Sequence, residues 1–204
     1  MSTRSSAARA PKIASAAPPP RPRDRILAAA AELFYRHGIH AVGVDQIAEA
    51  AGTNKMTLYR HFASKDVLIA ECLRVVAERF DRDWEAIAGA HRHDPQEHLR
   101  AWLSFTVAFL VDEANRGCAL ANAAIELADR DHPAWKVIEE AKAAQREKLV
   151  ALCRQTGYAD PEELSDELLL LLEGARVNIQ ILGTNSPATR LDTLMRAIVE
   201  HHAR

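Results

Sequence analysis

Residues 51–66 include five basic or phenolic side chains that can donate hydrogen bonds to an anion. The stretch reads AGTNKMTLYRHFASKD, and its donors are Lys55, Tyr59, Arg60, His61 and Lys65. Such groups bind phosphate oxygens and base edges, so the composition suits a helix that lies against a polyanion. It also suits an ordinary solvated surface helix, and the elements around the stretch decide between the two.

Charge is distributed unevenly along the 204 residues. The net charge is -2, yet residues 1–66 carry ten Lys and Arg against five Asp and Glu, which leaves the remainder acidic. A basic front on an acidic body predicts that the front meets a negative partner. Residues 1–19 contain no acid and are rich in Ala, Ser and Pro. They are predicted to form a flexible basic tail, which either touches DNA phosphates or is a solvated extension without function.

Apolar residues recur at helical spacing through the rest of the chain, and no stretch alternates with a period of two. At 48% hydrophobic residues the chain is globular. The prediction is an all-α fold of about nine helices. Glycines, prolines and N-cap residues place the later helices at 95–114, 119–128, 133–156, 161–183 and 187–203.

Two short helices are predicted on either side of Gly52, over about 44–51 and 54–62. Ile47 and Leu58 lie one on each helix, where both can fill the space between them. Ala48 is small enough for a close crossing, and Gly52, four residues later, suits a sharp turn. This pattern indicates a helix-turn-helix over 43–62, whose second helix enters the DNA major groove.

The segments ILAAAAELFYRHG, VDQIAEAAG and TLYRHFASKDVL, in this order and spacing, resemble the DNA-binding domain of the TetR/AcrR transcriptional regulators. The resemblance covers about residues 20–80, and 117–135 is similar to a stretch in the ligand-binding half of some members. It implies a DNA-binding domain at 20–80 and an effector-binding and dimerisation domain at 81–204. The implied function is a cytoplasmic repressor, a homodimer on a palindromic operator that a small-molecule effector releases. Two positions depart from the family pattern, Gly43 and Met56.

The resemblance also implies roles for individual residues of the second short helix. Near-base contacts are expected from Asn54, Lys55 and Thr57, and phosphate contacts from Tyr59, His61 and Lys65, with Arg60 able to do either. The alternative from the residues themselves is that Tyr59 packs on Phe62 while Arg60 and Lys65 are solvated.

An effector pocket is implied among the helices after residue 95. Its predicted lining residues are Trp102, Phe105, Phe109, Asn122, Glu126, Trp135, Arg176 and Gln180. The polar members are the more informative ones, because burying them costs free energy unless something pairs with them. The alternatives are that the aromatic residues are core and that Glu126 pairs with Arg176. No effector class follows.

The last two predicted helices have more apolar surface than one core requires, and leftover surface of this kind marks an interface. The resemblance implies that they pair across a two-fold axis. The predicted dimer residues are Leu168, Leu172, Leu191, Leu194 and Ile198.

Other chemistry is not indicated. The sequence has no Gly-rich phosphate loop, nucleophile elbow or isolated carboxylate pair, so we expect no enzyme, no cofactor and no metal. The histidines of 91–98 lack metal-ligand spacing. Three cysteines suit free thiols in a reducing compartment, with Cys118 either a redox switch or a packed apolar group. No apolar run reaches the length of a membrane span. The competing hypothesis is a helical adaptor or ligand-binding protein that does not bind DNA.

Overall fold

The computed structural model describes residues 20–110, 116–183 and 186–203. Within them it contains nine α-helices and no strand, which confirms the predicted fold class. The helices are α1 (Pro22–His37), α2 (Val44–Ala50), α3 (Lys55–His61), α4 (Lys65–Ala90), α5 (Pro95–Leu110), α6 (Ala119–Glu126), α7 (Ala134–Thr156), α8 (Pro161–Leu182) and α9 (Leu191–His202). The predicted tail, 1–19, and the predicted end of α5 at 114 lie outside the described residues.

Helix borders follow local capping chemistry. The Ser64 hydroxyl accepts the Val67 N–H at 3.1 Å at the start of α4, and Asp94 accepts the Glu97 N–H at 2.9 Å at the start of α5. The predicted helix 187–203 is instead a 3₁₀ turn, Pro187–Arg190, followed by α9. Ser186 caps this turn by accepting the Ala188 N–H at 3.1 Å.

A first hydrophobic core joins α1, α2, α3 and the beginning of α4. It also takes in α6 and the first turns of α7, through Leu120, Ala123 and Val137. The predicted boundary at residue 80 falls inside the continuous helix α4. The N-terminal helices therefore share their core with elements from the second half of the chain.

A second core lies between α5, α7, α8 and α9, with Leu99, Leu103, Leu149 and Leu164 at its centre. Because α7 is 23 residues long, its first part contributes to the first core and its last part to the second. No helix in the described segments is both long and apolar enough to cross a lipid bilayer.

Candidate nucleic-acid interface and cavity

Helices α2 and α3 form a helix-turn-helix with the predicted packing. Ile47 and Leu58 are both completely buried, and Ala48 is 3% exposed at the crossing. Gly52 has φ +61°, a left-handed conformation that favours glycine. The turn is further fixed by Arg25 of α1, whose Nε donates to the Ala51 carbonyl at 3.1 Å.

The outer face of α3, which we define as Lys55, Met56, Tyr59 and Arg60, points to solvent. Met56 is 83% and Tyr59 43% exposed. Leu58 is the only buried residue of the helix. Four of the seven side chains of α3 are therefore exposed and accessible to a partner.

Two predicted base contacts are already held in place within the protein. Asn54 is the N-cap of α3, where its Oδ1 accepts the Thr57 N–H at 2.9 Å, which leaves its amide N–H groups to donate. Lys55 lies 3.3 Å from the Asp45 carboxylate of α2, and both side chains are exposed. An exposed ion pair of this kind is weak, so a phosphate or base can replace Asp45 as the partner of Lys55.

The predicted phosphate contacts differ in their placement. Tyr59 is exposed, and the group over the Phe62 ring is the Arg23 guanidinium, at 5.2 Å. His61 is half-buried. Lys65 is turned inward, where its ammonium donates to the Ile39 carbonyl at 2.7 Å and lies 5.8 Å from the Phe34 ring centroid. The Lys65 ammonium therefore links α4 to the turn after α1, and its phosphate contact stays a prediction.

Sequence reasoning missed two residues of this interface. Met56 departs from the family pattern, and it is the most exposed large apolar side chain of the described residues. Arg25 is not among the predicted residues, because nothing in a single sequence shows which arginine reaches the helix-turn-helix turn.

A cavity of about 660 Å³ is enclosed by α1, α4, α5, α6 and the end of α8, within the usual size range of ligand sites. Five of the predicted effector residues line it, namely Phe105, Phe109, Asn122, Glu126 and Gln180. The sequence predicts a pocket among the helices after residue 95, but Phe34 of α1 and Ile69 and Val76 of α4 also form its wall. The cavity therefore lies against α1 and α4, which share the first core with α2 and α3.

A second, much smaller cavity of about 70 Å³ is lined by Trp102 and Arg176, also among the predicted residues. Arg176 pairs with Glu173 at 2.8 Å, and Lys142 contacts the same carboxylate. Burial raises the pKa of Glu173, but Arg176 and Lys142 outweigh it and hold the pKa below its ordinary value. The alternative pairing of Glu126 with Arg176 is wrong, because Arg176 is engaged here.

Trp135 does not belong to either cavity in the described part of the chain. Its indole N–H donates to the Leu127 carbonyl at 3.2 Å, and the Arg130 guanidinium lies 3.9 Å from its ring centroid. Trp135 therefore packs beside the first core, and its predicted effector contact stays a prediction.

Glu126 connects the large cavity to the turn that precedes α2. Its Oε2 accepts the N–H of Ile39 at 2.7 Å and that of His40 at 3.3 Å. Its backbone carbonyl lies 2.9 Å from the His40 Nε2. A Cβ at Gly38 would lie 3.0 Å from this carboxylate, and the φ of +86° there also favours glycine. The carboxylate of α6 thus fits closely against the α1–α2 turn.

The predicted dimer residues divide into two groups. Leu168, Leu172 and Leu191 are at most 2% exposed inside the second core of a single chain, so these three are corrected to core residues. Leu194 is 44% exposed. Ile198 is half-buried.

The apolar side chains left exposed on α8 are different ones. Leu170 is 74%, Val177 50% and Ile181 73% exposed. With Gly174 they define the outer face of α8, at a spacing of four, three and four residues that keeps them on one side of the helix. Leu194 is an exposed apolar side chain of α9, which packs against α8.

Comparisons with known proteins place this arrangement in a family. The model of bacterial regulatory proteins of the tetR family matches residues 26–72. A crystal structure of a TetR-family transcriptional regulator from Streptomyces coelicolor superposes with a TM-score of 0.83 at 26% identity, over 90% of this chain and 96% of that one. A protein assigned to the TetR transcriptional regulators, from Streptomyces avermitilis, gives a TM-score of 0.71 at 30% identity, over 88% and 99%.

The chain belongs to the TetR family. It is a DNA-binding transcription regulator, and the family is one of regulators, not of enzymes. Among curated relatives, the transcriptional activator FasR of Mycolicibacterium smegmatis is 51% identical over 43 residues, a match that spans 21% of this chain and only 20% of FasR. The TetR resemblance predicted from the helix-turn-helix segments is confirmed.

Proposed function

We propose that this TetR-family regulator is a cytoplasmic repressor that binds a palindromic operator as a homodimer and leaves it when a small molecule enters the large cavity. The observation that carries the proposal is the outer face of α3. Its donors and Met56 are exposed while Leu58 alone anchors the helix. That division suits a helix inserted into the major groove.

Within α3 we assign the sequence-reading role to Lys55 and Met56, with Asn54 and Thr57 beside them. A lysine suits guanine, and an apolar side chain suits the methyl group of thymine. Tyr59 and Arg60, one turn later, are assigned to the phosphates, with half-buried His61 beside them. Lys65 acts indirectly, since its bond to the Ile39 carbonyl fixes the start of α4 against the α1–α2 turn.

We place the dimer interface on the outer face of α8 together with Leu194. Four exposed apolar side chains on two adjacent helices are costly in water and gain from mutual burial. Gly174 lies in the middle of this face and permits close approach of the partner helix. Two copies of α3 about 34–36 Å apart can then read the two halves of one site.

The experiment that tests the DNA-binding assignment is fluorescence anisotropy on a labelled duplex at several salt concentrations. Lys55→Ala should weaken binding, whereas Lys136→Ala should not, although Lys136 is the more exposed lysine, at 81% against 52%. A protein that binds no duplex at low salt would support the adaptor hypothesis instead.

A further inference from the structure

The charges that line the large cavity leave one carboxylate without a cationic partner. Glu32 pairs outward with Arg36, and Asp83 faces Arg79 at 4.0 Å. Glu126 forms no ion pair with any Lys or Arg of the described residues, and its contacts are the two N–H groups of the α1–α2 turn.

The arginines that line the cavity would bind an anionic ligand more weakly than Glu126 would bind a cationic one. Arg116 is exposed at the rim, and Arg79 is 71% exposed beside Asp83. Ion pairs at such exposed positions contribute little free energy. Glu126 is half-buried, so a charge brought to it is better shielded from water.

Five aromatic side chains contribute to the wall of the cavity. Phe34, Tyr35, Phe80, Phe105 and Phe109 all line it, and the Phe80 and Phe109 rings meet edge to face with centroids 6.4 Å apart. Aromatic rings attract cations through their negative faces and also take up flat apolar bodies.

We propose that the cavity binds a flat, aromatic organic cation and that its charged head donates to the Glu126 carboxylate. This rests on the proposed function, and it names the chemistry of the effector. A donor that takes Oε2 replaces the N–H groups of Ile39 and His40, whose turn leads directly into α2. The ligand thereby breaks the hydrogen bonds between α6 and the turn before the helix-turn-helix. It lowers the affinity for DNA because it binds the conformation without these bonds more tightly than the conformation that binds DNA.

The test uses three fluorescent probes with one ring system and different heads: 9-anthracenylmethylammonium, 9-anthracenemethanol and 9-anthracenecarboxylate. Binding to the full chain is measured by fluorescence titration without DNA. The ammonium probe should bind about tenfold more tightly than the alcohol or tighter still, and the carboxylate should bind most weakly. Equal affinities, or a preference for the carboxylate, overturn the proposal.

Matched variants locate the preference. Glu126→Gln keeps a carbonyl that can accept from the turn but removes the negative charge, so the ammonium and alcohol probes should bind this variant with equal affinity. Glu32→Gln removes another carboxylate of the same cavity and should leave the preference unchanged. If the preference persists in Glu126→Gln or disappears in Glu32→Gln, Glu126 is not the acceptor.

The DNA readout separates this inference from the proposed function. The ammonium probe should release a labelled duplex from the wild-type protein, and Glu126→Ala should bind the duplex more weakly without any probe. Release by the alcohol or carboxylate alone would leave an effector cavity in place but contradict its charge preference. If none of the probes binds, the ligand class is wrong, whatever the affinity for DNA.

Discussion

Helices α3 and α8 both carry exposed apolar residues, but they differ in how many side chains they bury in the cores of their own chain. α3 has seven residues and buries only Leu58, while Lys55, Met56, Tyr59 and Arg60 are exposed. α8 has 22 residues and buries Leu164, Leu168, Leu172 and Ala175 in its own chain while Leu170 and Ile181 stay outside. A short helix with one buried side chain is suited to insertion into the DNA major groove. A long helix with two apolar faces is suited to packing in its own core on one side and against a second subunit on the other.

The largest expected effect comes from the outer face of α8. The pair Leu170→Glu and Ile181→Glu should give a folded, helical monomer, because both side chains are exposed and their replacement leaves the core intact. Specific binding should fall about 1,000-fold or more, toward the non-specific level, since one α3 reads too few bases. Analytical ultracentrifugation and operator titration measure the two quantities.

Ile125→Glu is the matched control, because Ile125 is 79% exposed but lies on α6 and not on α8. It should leave the protein dimeric. A dimer that survives the double change on α8 would place the interface elsewhere.

Next in size are the buried leucines of the two helices. Leu58→Ala and Leu168→Ala each remove a completely buried side chain and should each cost about 2–5 kcal/mol in the free energy of unfolding. Chemical denaturation measures this cost. Only Leu58→Ala should also reduce operator affinity at temperatures where the protein remains folded, because α3 loses the one side chain that it buries in the core. Equal losses of affinity in both variants would mean that α3 is not positioned by Leu58.

A smaller effect is expected on the outer face of α3. Lys55→Ala and Met56→Ala should each cost about 1–3 kcal/mol on the preferred operator and relax its sequence specificity at one position. Tyr59→Phe should weaken binding to all DNA sequences alike, because a phosphate contact carries no sequence information. Titration of the operator and its single-base variants distinguishes the two behaviours, and a uniform loss in all three proteins would contradict the division into readers and positioners.

These two helices also show what the sequence can predict. Ile47, Ala48, Gly52 and Leu58 specify the helix-turn-helix because their spacing admits one close crossing and one sharp turn. Residues 168–172 are five consecutive leucines, so helical period does not select which of them face inward. The sequence therefore predicts Leu168 and Leu172 at the dimer interface. In the structure these two are buried, and Leu170 is exposed. The tertiary core determines which of these leucines are buried, and the local sequence pattern does not contain that information.

The candidate cavity shows the same limit. Polar residues on apolar helices drew attention to Glu126 and Gln180, and both line the cavity. Their partners come from distant parts of the chain: Glu126 meets Ile39 and His40, and Gln180 donates to the Arg116 carbonyl. Contacts of this range follow from the packing of α6 and α8 against the rest, not from spacing along the sequence.

The smallest expected effect concerns His98 of α5, whose ring lies 5.2 Å from that of Trp84. Burial, followed by the nearby His91, lowers the pKa of His98 below its ordinary value of 6.5. The folded state therefore favours the neutral ring, and this contribution is complete above about pH 6.5 and is lost as the pH falls through the lowered pKa. Melting temperature should decline less on acidification in His98→Phe than in the wild type. An identical pH profile would show that His98 does not contribute.

Regulation by a homodimer requires two α3 helices to read one DNA site in a fixed arrangement. Selection of binding sites from a random duplex pool by the full chain, followed by sequencing, tests this most directly. The prediction is a palindrome whose half-sites are centred about one helical turn, or a multiple of it, apart. Enrichment of a single half-site, or no enrichment above an unselected pool, would contradict the proposed dimeric regulator.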